Sequence, residues 1–474
     1  MKYIMYSFNK FLLGTASNII TGFFVIIFIL CTYQSLSAQA ESQQVLPTKS
    51  QVKWADAEIG VIIHLDINIY TPDSFDYNRK ETLPQLSVFN PSKLNTDQWI
   101  KAAKAAGATY AILVAKHGTG FSLWPTKAHP YNISNTPFKN GKGDVAASFI
   151  KSCKKYGLRY GFYCSTNSNT YYGVHDNPFI LSGDALLRYN NMVLHQLTEL
   201  WTNYGKLFEI WFDGGVTPNT NGGIADEVEQ LVKKYQPEAI LFQGPLNNEN
   251  LIRWVGNEEG IAPYPMWSRT DTTTSSNGQV EIKGLSGNPD GKIWCPAESD
   301  FPNRNNKAWQ GGWLWKAGQE NYLLSANELV DKYYKSVGRN TNMLIGMAID
   351  TSGQFPQEDA KLFADFGKEI KKRFGKSIAE TNGSGKEITL TISSHPVKIN
   401  HVIIMEDIAK GENIRKYMIE AWKNGKWQKI VEGVSVGHKV INQFEPISTT
   451  KIRLSIIESS KPPCIKKLSV YYVQ

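Results

Sequence analysis

The chain predicts an α/β protein, an irregular (β/α)8 barrel followed by a C-terminal antiparallel β-sandwich. Three observations carry this. Between residues 59 and 350, a short apolar, β-branched or aromatic run that ends in polar residues returns eight times. Stretches with helical spacing lie between most of these runs. Beyond residue 386 both features give way to short alternating segments separated by Gly, Asn, Lys and Pro. Strands alternating with helices favour a parallel sheet, and eight such strands favour closure into a barrel.

The eight runs are 59–66, 110–117, 159–165, 207–214, 239–245, 251–258, 292–300 and 342–350. Helices are expected over 95–106, opened by Thr96-Asp97, and over 144–156, closed by Gly157. Others follow at 185–204 before Gly205, 224–235 before Pro237, and 357–374. The link 246–250 is too short for a helix, which makes the barrel irregular there. Residues 271–278, rich in Thr and Ser, read as a loop. In the sandwich, 386–474, strands are expected over 387–392, 401–405, 416–422, 428–431, 451–457 and 465–473.

Residues 1–38 precede the fold. Lys2 and Lys10, an apolar stretch over 19–30 and small residues at Ser37, Ala38 and Ala40 form a secretory signal peptide. The stretch is short for a membrane span. Export to the periplasm is the expected outcome. A lipoprotein anchor at Cys31 is the rival, disfavoured by the bulky Leu30 before it. The catalytic barrel is then assigned to 39–375.

The net charge of +8 is modest, and basic residues such as Lys151, Lys154, Lys155 and Arg159 are dispersed over helical faces. Nucleic acid is not an expected partner. Cys153, Cys164, Cys295 and Cys464 lack CxxC or metal-ligand spacing, so buried free thiols are expected and neither metal nor cofactor is.

Catalytic groups of a barrel stand at the C-terminal ends of its strands. Those ends carry His64, Asp66, Lys116, His117, Ser165, Asp213, Gln243, Glu258, Glu298, Asp300 and Asp350, with Trp124, Trp211, Trp254 and Trp294 nearby. No serine-hydrolase elbow, phosphate loop, nucleotide-binding glycine fingerprint or His-Glu-x-x-His motif is present. Paired carboxylates beside aromatics suit glycosidic bond cleavage. One carboxylate attacks or shields an oxocarbenium-like centre, and a second, protonated, serves the leaving oxygen. By position alone Asp213, Glu258, Glu298 and Asp300 all compete for these roles.

The segment Phe208-Glu209-Ile210-Trp211-Phe212-Asp213-Gly214-Gly215 resembles the nucleophile strand of glycoside hydrolase family 29, the α-L-fucosidases. Ile59–His64 resembles the family's first strand. Residues 110–117, running on to Gly120-Phe121-Ser122-Leu123-Trp124-Pro125, resemble its second. Residues 252–258 resemble the acid/base segment of the subfamily favouring α-1,3- and α-1,4-linked fucose. The resemblance covers about residues 50–375 and implies a retaining exo-fucosidase with Asp213 as nucleophile and Glu258 as acid/base. It implies that His64, His117, Trp124, Tyr163 and Trp211 hold the sugar, with Glu298 and Trp315 as rim or binding residues.

Two departures bear on specificity. The family has adjacent histidines where this chain has His117-Gly118, and an aromatic where it has Leu65. A subsite altered in this way opens the alternative of a related terminal L-sugar with a hydroxyl on C6, such as L-galactose. A non-catalytic glycan-binding protein is the reading from a different class, opposed by the intact carboxylates. His129, His175 and His195 read as ordinary surface or helix histidines. Trp422, Trp427 and Phe444 of the sandwich read as structural, with carbohydrate binding as the alternative.

Overall fold

The computed structural model describes residues 45–175, 180–274 and 280–474. The expected signal peptide and Cys31 lie outside the described residues. Among the described residues, no helix is long and apolar enough to cross a membrane.

A short helix, α1 (Lys49–Ala55), opens the fold with a capping box in which Thr48 and Gln51 satisfy each other's backbone N–H groups. Seven residues give no periodic signal, and the sequence reading passes over it. β1 (Ile59–His64), α2 (Thr96–Ala105), β2 (Tyr110–Lys116), α3 (Val145–Tyr156) and β3 (Arg159–Cys164) follow. Next come α4 (Gly183–Asn203), β4 (Glu209–Trp211), α5 (Ala225–Tyr235), β5 (Ile240–Phe242) and β6 (Leu251–Trp254).

β5 and β6 pair in parallel, Leu241 opposite Leu251, with no helix between them. After β6 an antiparallel sheet is formed by β7 (Arg269–Thr274), β8 (Val280–Lys283) and β9 (Ile293–Trp294). This corrects the loop expected at 271–278 over residues 271–274, while 275–278 lie outside the described residues. Thr-rich stretches pair well as strands, and composition alone mistook them for a linker. β10 (Ala297–Phe301), α6 (Ala326–Lys335), β11 (Asn342–Ala348) and α7 (Gln357–Phe374) complete the barrel. It closes in the order β1-β11-β10-β6-β5-β4-β3-β2.

Alternation sorts the side chains of each strand. Ile59, Val61, Ile63, Ala111, Leu113 and Ala115 belong to the large apolar cluster shared with the helices, whereas His64, Tyr110, Tyr163, Trp211, Glu298 and Asp300 do not. The second set fills the barrel interior and its mouth.

The remaining strands form two four-stranded antiparallel sheets. β12 (Ala379–Ser384), β14 (Val397–Glu406), β17 (Val440–Thr449) and β19 (Cys464–Tyr471) make one, in the order β12-β19-β14-β17. β13 (Glu387–Thr391), β15 (Ile414–Lys423), β16 (Lys426–Gly433) and β18 (Lys451–Ser459) make the other, in the order β13-β18-β15-β16. Ile399, Val402 and Leu468 of the first share one core with Leu390, Ile419 and Leu454 of the second, which makes the pair a sandwich.

The sequence reading passes over β12 and β17, and both are edge strands. Edge positions tolerate the Asn382-Gly383 of β12 and the Pro446 of β17, which lower strand propensity. Ile403, Met405, Ile441 and Tyr471 join the barrel's apolar cluster, so the first sheet docks against the barrel. The His438–Asp56 contact at 2.8 Å and the Lys439–Glu58 ion pair hold that junction just before β1, at the end opposite the mouth. On the other sheet Trp422 and Trp427 meet edge to face, with Lys451 and Arg453 lying over their rings. Each ring thus carries a cation–π contact.

Candidate active site

The mouth of the barrel is lined by a continuous arc of rings. Trp211, ending β4, stacks on Phe242 of β5 at 3.7 Å between centroids and on Tyr163 of β3 at 5.4 Å. Tyr163 stacks on His117 at 5.6 Å, and His117 meets the ring of His64 edge-on at 5.9 Å. His64 in turn lies 5.2 Å from Trp313. Two members of the arc each hold a carboxylate. The Tyr163 hydroxyl donates to Asp213 Oδ2 at 2.9 Å, and the Trp313 indole N–H donates to Glu258 Oε2 at 2.9 Å. Both carboxylates are solvent-exposed, while the rings that hold them are buried or half-buried. A polar rim over an apolar, hydrogen-bonding wall suits a small polyol with one carbon-rich face.

Burial and the neighbouring His117 push the His64 imidazole down to about 3, so it stays neutral and can both donate and accept a hydrogen bond. Tyr163 is pushed well above its ordinary range by burial and by Asp213, which keeps its proton available to that carboxylate. Asp300 is buried and receives the Trp254 indole N–H at 2.6 Å. Burial raises its carboxyl well above the usual range, and the charges of Glu298 and Glu258 add to the effect. Asp300 thus stands behind the rim with its charged form disfavoured.

Glu298 is not a rim residue. It lies fully buried in the barrel interior, where Tyr110 O–H donates to Oε1 at 2.7 Å and the Trp211 indole N–H to Oε2 at 3.0 Å. Glu209, two residues before Trp211, is hydrogen-bonded to it and receives the Trp54 indole N–H at 2.9 Å from α1. Burial raises both carboxyls, and the charge of Glu298 raises Glu209 further. The pair acts as an anchor for Trp211.

Burial pushes the Glu298 carboxyl from 4.5 up to about 6. A raised acid pKa in the folded state contributes stability that is present below the unfolded value and lost as pH rises through the folded one. Wild-type thermal stability should therefore fall between about pH 4.5 and 6 through this group. Glu298→Gln cannot ionise and should flatten that part of the profile. Melting temperatures across pH for both proteins check this, and an unchanged slope would assign the titration elsewhere.

Trp124 is also displaced from its expected place. Its ring is buried in the apolar shell outside the barrel, and its indole N–H donates to Glu199 of α4 at 2.9 Å. Trp315 is half-buried, and it is Trp313, two residues earlier, that enters the mouth. Gly346 of β11 makes room for it, since a Cβ there would stand 3.0 Å from the Trp313 ring. A glycine inside an apolar strand is the one sequence signal of that close approach. Trp294 pairs with β7, and its carbonyl accepts from Gln51 of α1. Leu65 turns into the apolar shell, so the ring beside His64 comes from Trp313 instead.

Asp66 is buried behind the mouth, pushed up to about 7 by burial, and accepts the Thr119 hydroxyl on both oxygens. His129 is buried against Gln196 and Ser122 rather than lying on the surface or in a helix. His195 is a half-exposed helix residue beside Glu199. All four described cysteines are free.

The family model for alpha-L-fucosidase matches residues 54–373. Over 467 residues the chain is 28% identical to α-L-fucosidase 1 of Arabidopsis thaliana, covering 90% of this chain and 87% of that protein. A Bacteroides thetaiotaomicron crystal structure assigned as an α-L-fucosidase has 38% identity and a TM-score of 0.84, covering 91% of this chain and 100% of that one. A Ruminococcus gnavus family 29 fucosidase in complex with fucose has a TM-score of 0.75 at 22% identity, a likeness of fold, over 91% of this chain and 95% of that one. The chain thus belongs to the α-L-fucosidase family, glycoside hydrolase family 29.

Proposed function

We propose that the protein is an exported, exo-acting fucosidase that removes terminal α-L-fucose by double displacement. The observation that carries this reading is the pair of exposed carboxylates, Asp213 and Glu258, each hydrogen-bonded to a member of one arc of rings. Asp213 attacks the anomeric carbon while Glu258 hands its proton to the departing glycosidic oxygen. Glu258 then takes a proton from water as that water displaces the sugar from Asp213. The Tyr163 hydroxyl orients Asp213, and the Trp313 indole fixes one oxygen of Glu258, leaving the other for the proton.

Neutral His64, together with His117, is suited to the sugar's hydroxyls, and Trp211 and Trp313 to its C–H faces. The 252–258 segment supports α-1,3- and α-1,4-linked fucose as the preferred linkages. Trp313 supplies the ring that Leu65 does not, which favours fucose over L-galactose.

Hydrolysis of a panel of aryl α-glycosides and of isomeric fucosylated trisaccharides by the protein tests the reading, and failure to cleave any α-L-fucoside would overturn it. Retention of configuration is the expected stereochemical outcome, with the two carboxyl groups about 5–5.5 Å apart in the working site. NMR of the first-formed sugar should show the α-anomer, and initial release of the β-anomer would exclude a glycosyl-enzyme on Asp213.

A further inference from the structure

The loop after β1 is mostly exposed between residues 73 and 81, yet two of its aromatic side chains turn inward. Phe75 is buried, and Tyr77 packs edge-on against it at 4.7 Å between ring centroids. The Tyr77 hydroxyl lies 3.0 Å from His117 Nδ1 and accepts the side-chain N–H of buried Asn68 at 3.1 Å. Thr170 clamps the arrangement from the loop after β3. Its hydroxyl donates to the Tyr77 carbonyl at 2.7 Å, and its backbone N–H donates to the Gly118 carbonyl at 2.7 Å.

We propose that Tyr77 is a positioning residue of the sugar subsite, holding His117 as its Nε2–H tautomer and filling, with its ring, the volume above Gly118. A phenol has one proton. Asn68 donates to its oxygen, and in the proposed arrangement that proton goes to His117 Nδ1, which accepts. A neutral imidazole accepting at Nδ1 carries its hydrogen on Nε2. His117 is thereby fixed as a hydrogen-bond donor at Nε2 while its face stacks on Tyr163.

The second half of the proposal is steric. A Cβ at residue 118 would stand 2.9 Å from Tyr77 Cε1, 3.1 Å from Cδ1 and 3.1 Å from Ser168 Oγ. A side chain at 118 and the ring of Tyr77 compete for one space, so the two positions form a matched pair. The loop after β1 delivers to this part of the mouth what the strand end at 118 does not.

The proposal rests on the reading of His117 as a sugar ligand, and the test has an arm that does not. Tyr77→Phe keeps the ring and the fold and removes only the hydroxyl. In the first arm, protein labelled with 15N-histidine is observed by NMR, with His117→Gln identifying the signal. Wild type should show the His117 Nε2–H pattern, and Tyr77→Phe should shift it toward a mixture of tautomers. In the second arm, Tyr77→Phe should raise KM for an aryl α-L-fucoside up to about tenfold, with kcat and melting temperature little changed. Gly118→Ala should weaken binding in the wild-type background and do little in a Tyr77→Ala background.

An unchanged His117 signal in Tyr77→Phe, or additive effects of the 118 and 77 substitutions, would reduce Tyr77 to a loop filler. If wild type cleaved no α-L-fucoside, the proposed function would fail, and the NMR arm would still decide the role of Tyr77.

Discussion

Asp213→Asn should leave a folded protein whose turnover of α-L-fucosides is lower by on the order of 10⁴-fold or more. The carboxamide has the same volume, and its oxygen still accepts the Tyr163 hydroxyl, so the arc of rings is not disturbed. It is a poor nucleophile, and the covalent route closes. Because Asp213 is solvent-exposed, the substitution leaves no buried group without a partner, and the melting temperature should move little. Steady-state kinetics on an aryl α-L-fucoside, paired with thermal denaturation, decide the matter. Activity retained within about tenfold would show that another group attacks.

Glu258→Ala should discriminate between leaving groups. An alkoxide needs a proton in the transition state and a nitrophenolate hardly does, so hydrolysis of fucosylated oligosaccharides should suffer far more than that of an activated aryl fucoside. Azide should restore turnover of the aryl substrate when breakdown of the glycosyl-enzyme limits the rate, since a small anion enters the vacated space and needs no general base.

Glu298→Ala serves as the contrast, and its place in the barrel interior defines what to expect. The substitution leaves Tyr110 O–H and the Trp211 N–H unpartnered, at about 1–3 kcal/mol each. It should lower the melting temperature, impair both substrates alike through a loosened Trp211, and gain nothing from azide. Leaving-group dependence with azide rescue at position 298 would reassign the acid.

These contrasts show how far the sequence reaches. A strand followed by polar residues is recognisable from local pattern, because burial on both faces demands an apolar run and the barrel places its reactive groups where that run ends. Asp213 and Glu258 were therefore legible as members of one rim, with His64, His117, Tyr163 and Trp211. Alternation also assigns Glu298 and Asp300 to one face of β10. It does not say how deep either lies, since depth depends on the stagger between neighbouring strands. The register of β10 against β6 and β11 sinks Glu298 level with Trp254 and Asn342, the residue that opens β11, beneath the indole of Trp211.

By itself the sequence determined the chain's class, the eight strands, five of the seven described α-helices and the rim on which the carboxylates stand. Each of these follows from local periodicity and from which residue types can end a buried strand. Only the tertiary structure decided which aromatics share that rim. Trp313 rather than Trp315 enters the mouth because Gly346 gives it room, and Trp124 leaves the site to bind Glu199. Tyr77 arrives from a loop with no pattern of its own to stand over Gly118. The physical reason is common to all three. A loop residue's destination is set by the space that distant strands leave open, and that space exists only once the barrel has closed.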